Sequence, residues 1–510
     1  MLAIAADVPG YYCLLERGGI LRTMVTATIM TVEVESKSGF LRRLGLLDTS
    51  FLVIGAVVGS GIFMTPGLIA AGLPSPGLLL TVWLAGGLVT LCGALSFAEL
   101  GAMFPQAGGQ YIYIREAYGP TAAFLFGWAF FGFIMCGGLA ALAVAFAEFL
   151  GSFVPQLSTG QVIFRVDTAG FAYSLSAGQV VAALSILALT FVNSFGIRSG
   201  AAVQNLLTVF RLGTVAALIG LGILFGVKTG GVNFHPLFPP GPPFPAILKP
   251  LGLALVAVFW TYDGWYSVNC TAGEIRDPER TIPRGLTLGV LAVTVIYVLV
   301  NFVYLLALPL EKISGVVRVG ELAASALFGG GGAALFSALV MVSVFGCLNA
   351  NILFGPRVFY AMARDGHFFR AMGRLGARSR VPTGALWGQA AWSSLLCLSG
   401  TYESLYEYMV FALLLFFAAT GLAVFVLRHK SPGMPRPYRT WGYPVVPLIF
   451  ILMCLAVFLS IVISQPLKSA AGAGLLLAGF PVYLVWKGRG GRNPAGTIKN
   501  DSTETSFRLK

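Results

Sequence analysis

Of 510 residues, 57% are apolar and only 10% are charged, with a mean hydropathy of +0.84; a soluble chain carries about 25% charged residues. A soluble enzyme, a nucleic-acid binder and a disordered scaffold are excluded together, leaving a polytopic membrane protein. The 33 Lys and Arg against 20 Asp and Glu give a net charge of +13, which in such a chain reads as basic cytoplasmic loops. Long unbroken apolar runs argue against a β-barrel, whose strands alternate over about 10 residues.

Residues 1–45 mix Asp7, Glu16, Arg17, Arg22, Glu33, Glu35 and Lys37 with short apolar pieces. They lack the basic, apolar and small-residue succession of a signal peptide and are expected to form a cytoplasmic tail. From Thr49 to Ala98 no Lys, Arg, Asp, Glu or His occurs. A spanning helix needs about 20 mostly apolar residues, so this run holds two spans, parted by the Gly72–Gly77 turn with its two prolines. Continued in this way, the pattern predicts twelve transmembrane helices: spans 1 (46–71), 2 (78–103), 3 (120–150), 4 (177–196), 5 (201–226) and 6 (248–274), then 7 (286–309), 8 (329–362), 9 (382–399), 10 (404–428), 11 (445–465) and 12 (467–486). The chain divides into the tail, a core over 46–428, spans 11 and 12 over 429–486, and a C-terminal tail over 487–510. With the N-terminus inside, 26 basic residues lie in inside segments. Only Arg165, Lys228, Lys249, Lys312, Arg318 and Lys468 lie outside, and Arg211 falls within a span. That asymmetry places both termini in the cytoplasm of a multi-pass plasma (inner) membrane protein.

Six of seven cysteines (Cys92, Cys136, Cys270, Cys347, Cys397 and Cys454) sit in apolar stretches, Cys13 lies in the tail, and none shows CxxC spacing. They read as small core residues. His235, His367 and His429 are far apart, so neither a metal nor another cofactor is expected. No HExxH, GxSxG or paired membrane aspartate suggests an intramembrane enzyme.

Two spans carry the chemistry. Span 1 reads GAVVGSGIFMTPG over 55–67, with Gly59-Ser60-Gly61 near mid-membrane. Small residues there invite unwinding, tolerated at that depth only against a cavity or inside protein. The amides so released, at the positive end of the half-helix that follows, suit a carboxylate; close helix packing through small residues is the alternative. Span 6 reads FWTYDGWYSVNC over 259–270, and Tyr262-Asp263-Gly264 is a polar break in it. Breaks in spans 1 and 6 occupy matching places if 46–226 and 248–428 are inverted repeats, and such a pair points to a transporter site.

These two segments join SFAELGAMFPQAGGQYIY (96–113), VNSFGIRSGAAVQN (192–205), GPRVFYAMARDG (355–366) and RPYRTWGYPVVPLIF (436–450). In this order the six motifs resemble the amino acid–polyamine–organocation superfamily, above all its L-type amino acid transporter branch in a bacterial form. The resemblance covers roughly 45–465. It implies an all-α fold of twelve helices with a 5+5 inverted repeat, broken helices 1 and 6, and alternating access. It also implies that a substrate carboxylate meets the amides of Val58, Gly59, Ser60 and Gly61. The α-amino group would meet the break at Trp260, Thr261, Tyr262, Asp263 and Gly264. Trp260 takes the place of a gating aromatic, and Tyr297 that of a tyrosine bridging the two breaks; core packing is the plainer reading of both.

Arg211 stands where the family pattern usually has lysine, at the place where sodium-coupled relatives of similar fold hold an ion. An arginine stays protonated, so it suits a fixed charge that steadies broken helix 1 better than a proton carrier; simple snorkelling is the alternative. Asp263 departs from the small neutral residue of many members. It is open to three readings: a counter-ion or proton carrier, an ion pair with Arg211, or a water-facing side chain. Glu99 and Glu274, with Arg276, Asp277, Glu279 and Arg280, read as an inner salt-bridge gate. Ser343 and Asn349 face either a cavity or neighbouring helices. Residues 151–176 contain no cysteine, so no disulfide-linked heavy subunit is expected and a monomer is. The partners are then an amino acid substrate and membrane lipid, and no nucleic acid. The expected activity is secondary amino acid transport by sodium-independent exchange or uniport. The rivals are a polyamine or cationic amine transporter, prompted by Asp263, and a permease-like nutrient sensor, which would favour longer soluble extensions.

Overall fold

A computed structural model describes residues 40–490 apart from 74, 169–170, 227–230, 235, 239–242 and 400–401; both tails, Cys13 and His235 therefore lie outside the described residues. The apolar run from Thr49 gives α1 (Leu46–Val57) and α2 (Gly61–Gly72), two half-helices bent by 45° across the small-residue break. α3 (Pro76–Met103) starts where the sequence dictates. The Ser75 hydroxyl accepts the Leu78 amide at 3.1 Å, and Pro76 fills a first-turn position that needs no N–H. α4 (Gln110–Tyr118) is short and does not span. α5 (Pro120–Ala129) and α6 (Met135–Gly151) form one span through a π turn at Phe130–Ile134. After it the expectation of an all-α chain needs correcting. Val162–Thr168 and Phe171–Ser176 form strands β1 and β2, an antiparallel hairpin, where Val, Ile, Phe and Tyr supply β propensity.

Ser176 then caps α7 (Ala177–Ser194) in a box with Gln179. α8 (Ile197–Gly226) carries Arg211, and α9 (Phe244–Thr261) and the short α10 (Ser267–Cys270) flank the second break. α11 (Pro278–Ala307), α12 (Leu310–Ile313) and α13 (Val319–Arg364) follow. α13 bends at Gly329, whose φ of +75° is a conformation that glycine adopts without strain, at the residue where the eighth span is expected to begin. α14 (Thr383–Ser399), α15 (Tyr402–Lys430), α16 (Val445–Ser464), α17 (Pro466–Leu477) and α18 (Gly479–Gly490) complete the chain.

Among the described residues nine helices are long and apolar enough to cross a membrane, ten with the bent α1–α2 pair. The protein is a multi-pass helical membrane protein. The Pro245–Thr261 part of α9 is apolar but shorter, and α14 has 17 residues.

Helices meet through small residues, as expected where lipid removes the usual hydrophobic drive between helices. Gly285 and Gly289 of α11 leave no room for a Cβ against Thr49 and Val53 of α1. Leu84, Leu88, Leu206 and Leu288 point outward, which in a bilayer costs nothing.

Candidate functional site

The first break begins at Val58, which leaves the helical region with ψ 83°. Its amide still donates to the Ile54 carbonyl at 2.9 Å, and that of Gly59 to the Val57 carbonyl at 2.8 Å. The next donor to find a carbonyl is Phe63, on Ser60 at 3.1 Å. The amides of Ser60, Gly61 and Ile62 therefore open α2 without acceptors, and the buried Ser60 Oγ also has no partner. An N-terminal first turn leaves such donors free, with the helix dipole adding positive potential. Of the four amides expected to hold a carboxylate, the fold keeps Ser60 and Gly61 available. It spends those of Val58 and Gly59 and adds Ile62.

The second break follows Thr261. Gly264 adopts φ +101° and presses on the Ala56 carbonyl, where a Cβ would come within 2.8 Å, so only glycine lets the two breaks pack. Tyr297 Oη lies 2.9 Å from the Val57 carbonyl and 3.0 Å from that of Thr261. The tyrosine thus bridges the last carbonyls of α1 and α9. Thr261 Oγ1 lies 2.9 Å from Thr65 Oγ1 of α2, and Tyr262 Oη donates to the Trp83 carbonyl at 3.0 Å.

Between the breaks lies a small cavity of about 40 Å³. Gly59, Ser60, Gly61, Trp260, Thr261 and Asp263 line it. Val58, Tyr262, Gly264 and Tyr297 do not; they shape the breaks from behind. The sequence reading missed Ile134, Met135, Gly138 and Leu142 from the span-3 side, Tyr266 beyond the second break, and Cys347 and Asn351 of α13. Their helical spacing was legible, but every face of these apolar helices looks alike in sequence. Trp260 also borders a second, larger groove, about 670 Å³, that includes Met64, Leu68, Leu253, Val316 and Gln465.

Arg211 is fully buried. Its Nη1 donates to the Gly55 carbonyl at 2.6 Å and its Nη2 to the Ser343 carbonyl at 2.5 Å. It joins α1, just before the break, to α13, and does not snorkel. No ion pair links it to Asp263 among the described residues, which removes that reading of Asp263. Asp263 Oδ1 is buried without a hydrogen-bond partner. Ser343 Oγ lies 3.5 Å from the Val58 carbonyl, whereas Asn349 turns away to Asn193 (2.7 Å) and Gln204 (3.0 Å).

The expected partners of the two inner glutamates need correction. Glu274 pairs with Arg357, Nη2 to Oε1 at 2.8 Å, both side chains 1% exposed. Glu99 takes Arg428 at 2.9 and 2.7 Å and the Thr440 amide at 2.7 Å. Neither carboxylate pairs with Arg276 or Arg280, because the fold offers each an arginine from a helix distant in sequence, buried Arg357 for Glu274 and half-buried Arg428 for Glu99. Among the described residues no group of three or more His, Cys, Asp or Glu side chains is gathered as for a metal ion.

The family model described as amino acid permease matches residues 44–485. The chain belongs to the amino acid permease family. It is similar to the serine/threonine exchanger SteT of Bacillus subtilis, 32% identical over 89% of this chain and 98% of that protein. It is also similar to the b(0,+)-type amino acid transporter 1 of Mus musculus, 29% identical over 86% of each chain. The large neutral amino acids transporter small subunit 2 of Mus musculus is 29% identical over 89% of this chain and 83% of its own. This permease is thus an amino acid transporter whose relatives are transporters and exchangers, and the cavity between its broken helices is the candidate substrate site.

Proposed function

We propose that this permease is a sodium-independent secondary amino acid exchanger that binds one substrate between the broken helices and works by alternating access. One observation carries the reading: Ser60 and Gly61, whose amides are free at the start of α2, line the same cavity as Asp263, with its unpartnered carboxylate oxygen, and the carbonyl end of α9. A zwitterion fits that polarity. Its carboxylate takes the Ser60, Gly61 and Ile62 amides and Ser60 Oγ; its ammonium takes Asp263 and the negative end of α9. Trp260, between the cavity and the outer groove, acts as the gate.

Arg211 supports independence from sodium. Its permanent charge sits on the carbonyls of Gly55 and Ser343, where a further cation would meet repulsion. The twelve-helix, 5+5 arrangement with repeats 46–226 and 248–428 fits the paired breaks, with α9 and α14 as the two shorter spans. The basic-residue asymmetry supports cytoplasmic termini in the plasma membrane. With no cysteine in 151–176, the permease works as a monomer without a disulfide-linked partner.

The named substrates of the exchanger from Bacillus subtilis make small neutral amino acids the first choice. Cationic amino acids or amines are the second reading, favoured by the buried, unpaired oxygen of Asp263.

Uptake of labelled serine, threonine, leucine, lysine and putrescine into proteoliposomes, empty or preloaded, with and without sodium, tests both. Uptake of neutral amino acids only into preloaded vesicles, indifferent to sodium, is expected. Sodium-driven uptake into empty vesicles would defeat the exchange reading. Lysine or putrescine uptake abolished by Asp263→Asn would establish the second.

A further inference from the structure

On one side of the central cavity two walls run on together. On α13, Asn351 lines the cavity, and Arg357 follows six residues later, about 9 Å along the helix at 1.5 Å per residue. Opposite, Tyr266 lines the cavity and α10 leads on to Glu274. The walls close where Arg357 and Glu274 form their buried two-point pair, Nε to Oε2 at 3.1 Å and Nη2 to Oε1 at 2.8 Å. The Glu274 backbone ties a third element to this lock. Its carbonyl accepts the amides of Arg43 and Leu44 at 2.8 and 2.9 Å, so the segment entering α1 is held by the same turn.

Along that stretch of chain the interior holds polar atoms that nothing uses. Ser267 Oγ, Asn269 Oδ1, Asn269 Nδ2 and Tyr113 Oη of α4 have no hydrogen-bond partner, and their residues are 2%, 1% and 0% exposed in turn. Asn269 Oδ1 and Tyr113 Oη converge on Gly101 of α3. A Cβ there would lie 3.2 Å from the hydroxyl and would collide with the amide oxygen. Folded proteins pair nearly all buried polar atoms. Four such atoms, two of them gathered at Gly101 of α3 and three of them on the stretch of chain that leads from the cavity-lining Tyr266 to Glu274, mark a surface that serves another state of the protein.

We propose that Ser267, Asn269 and Tyr113 form a transit subsite for the amino acid backbone, between the central cavity and the Glu274–Arg357 lock. The proposal rests on the central-site reading above. Asn269 offers both polarities a zwitterion needs: Oδ1 accepts from an ammonium and Nδ2 donates to a carboxylate. The two hydroxyls adapt to either. When α1 withdraws and the lock parts, these atoms meet substrate and its water.

The test uses the full-length permease in oriented proteoliposomes, with labelled serine, threonine and leucine varied on one face while the other is saturated. Tyr113→Phe is expected to raise the half-saturation on the Glu274–Arg357 face about fivefold, and Asn269→Leu about tenfold, from lost hydrogen bonds. The other face keeps its wild-type value. Thermal stability of Tyr113→Phe is expected to hold or rise, because the closed state loses no hydrogen bond. Equal changes on both faces, a lowered melting temperature in Tyr113→Phe, or unchanged half-saturation would overturn the subsite while leaving the central site standing. If the wild type moves none of the three amino acids, the central-site reading fails and takes the subsite with it.

Discussion

Two arginines lie at the heart of this permease, each with at most 1% of its surface exposed, and they are held in opposite ways. Arg357 meets a carboxylate, Glu274. Arg211 meets only carbonyls, those of Gly55 and Ser343. The first arrangement is neutral as a unit, and its two halves can part when water enters. The second leaves a full positive charge near the candidate substrate cavity, which no proton equilibrium removes. A buried ion pair thus joins α13 to the turn before α11, whereas Arg211 joins α1 to α13 through carbonyls alone.

Removing the fixed charge should do the most damage. In Arg211→Met two carbonyls lose charged donors, each bond worth roughly 1.5–3 kcal/mol, and initial exchange rates should fall at least about 100-fold. Arg211→Lys should retain part of the rate, since it keeps the charge and loses the second donor arm. Rates near wild type in Arg211→Met, with a monodisperse protein, would show that the charge is ornamental.

Next comes the lock. Glu274→Leu leaves the Arg357 charge buried and uncompensated, a loss of about 3–5 kcal/mol, visible as a lower melting temperature in detergent. Adding Arg357→Met should restore most of that stability without restoring transport. A single variant as stable as the double would contradict the pairing argument.

Smaller effects sharpen the contrast around the breaks. Tyr297→Phe removes the hydroxyl shared by the Val57 and Thr261 carbonyls. At about 1 kcal/mol per hydrogen bond, substrate half-saturation should rise roughly five- to tenfold. Thr65→Val removes one hydroxyl contact between α2 and α9 and should shift the same constant about threefold or less. An effect of Thr65→Val as large as that of Arg211→Met would mean that the breaks, and not the charge, set the rate.

Where the backbone must fail, and which charges stand within apolar runs, can be read from the residues in order. Gly59-Ser60-Gly61 and Tyr262-Asp263-Gly264 carry their breaks locally: small and polar residues weaken a helix wherever they stand. Arg211 is conspicuous because nothing around it in the chain is charged. The partners were set by packing. It gave Arg211 to two carbonyls and not to Asp263. It gave Glu274 to Arg357, 83 residues away, and not to its neighbour Arg276. It spent the Val58 and Gly59 amides and freed that of Ile62. It also chose which faces of α6 and α13 line the cavity. The reason is physical: propensity and hydropathy are properties of neighbours along the chain, whereas the desolvation of a charge or an amide is settled by whichever group packing brings within 3 Å.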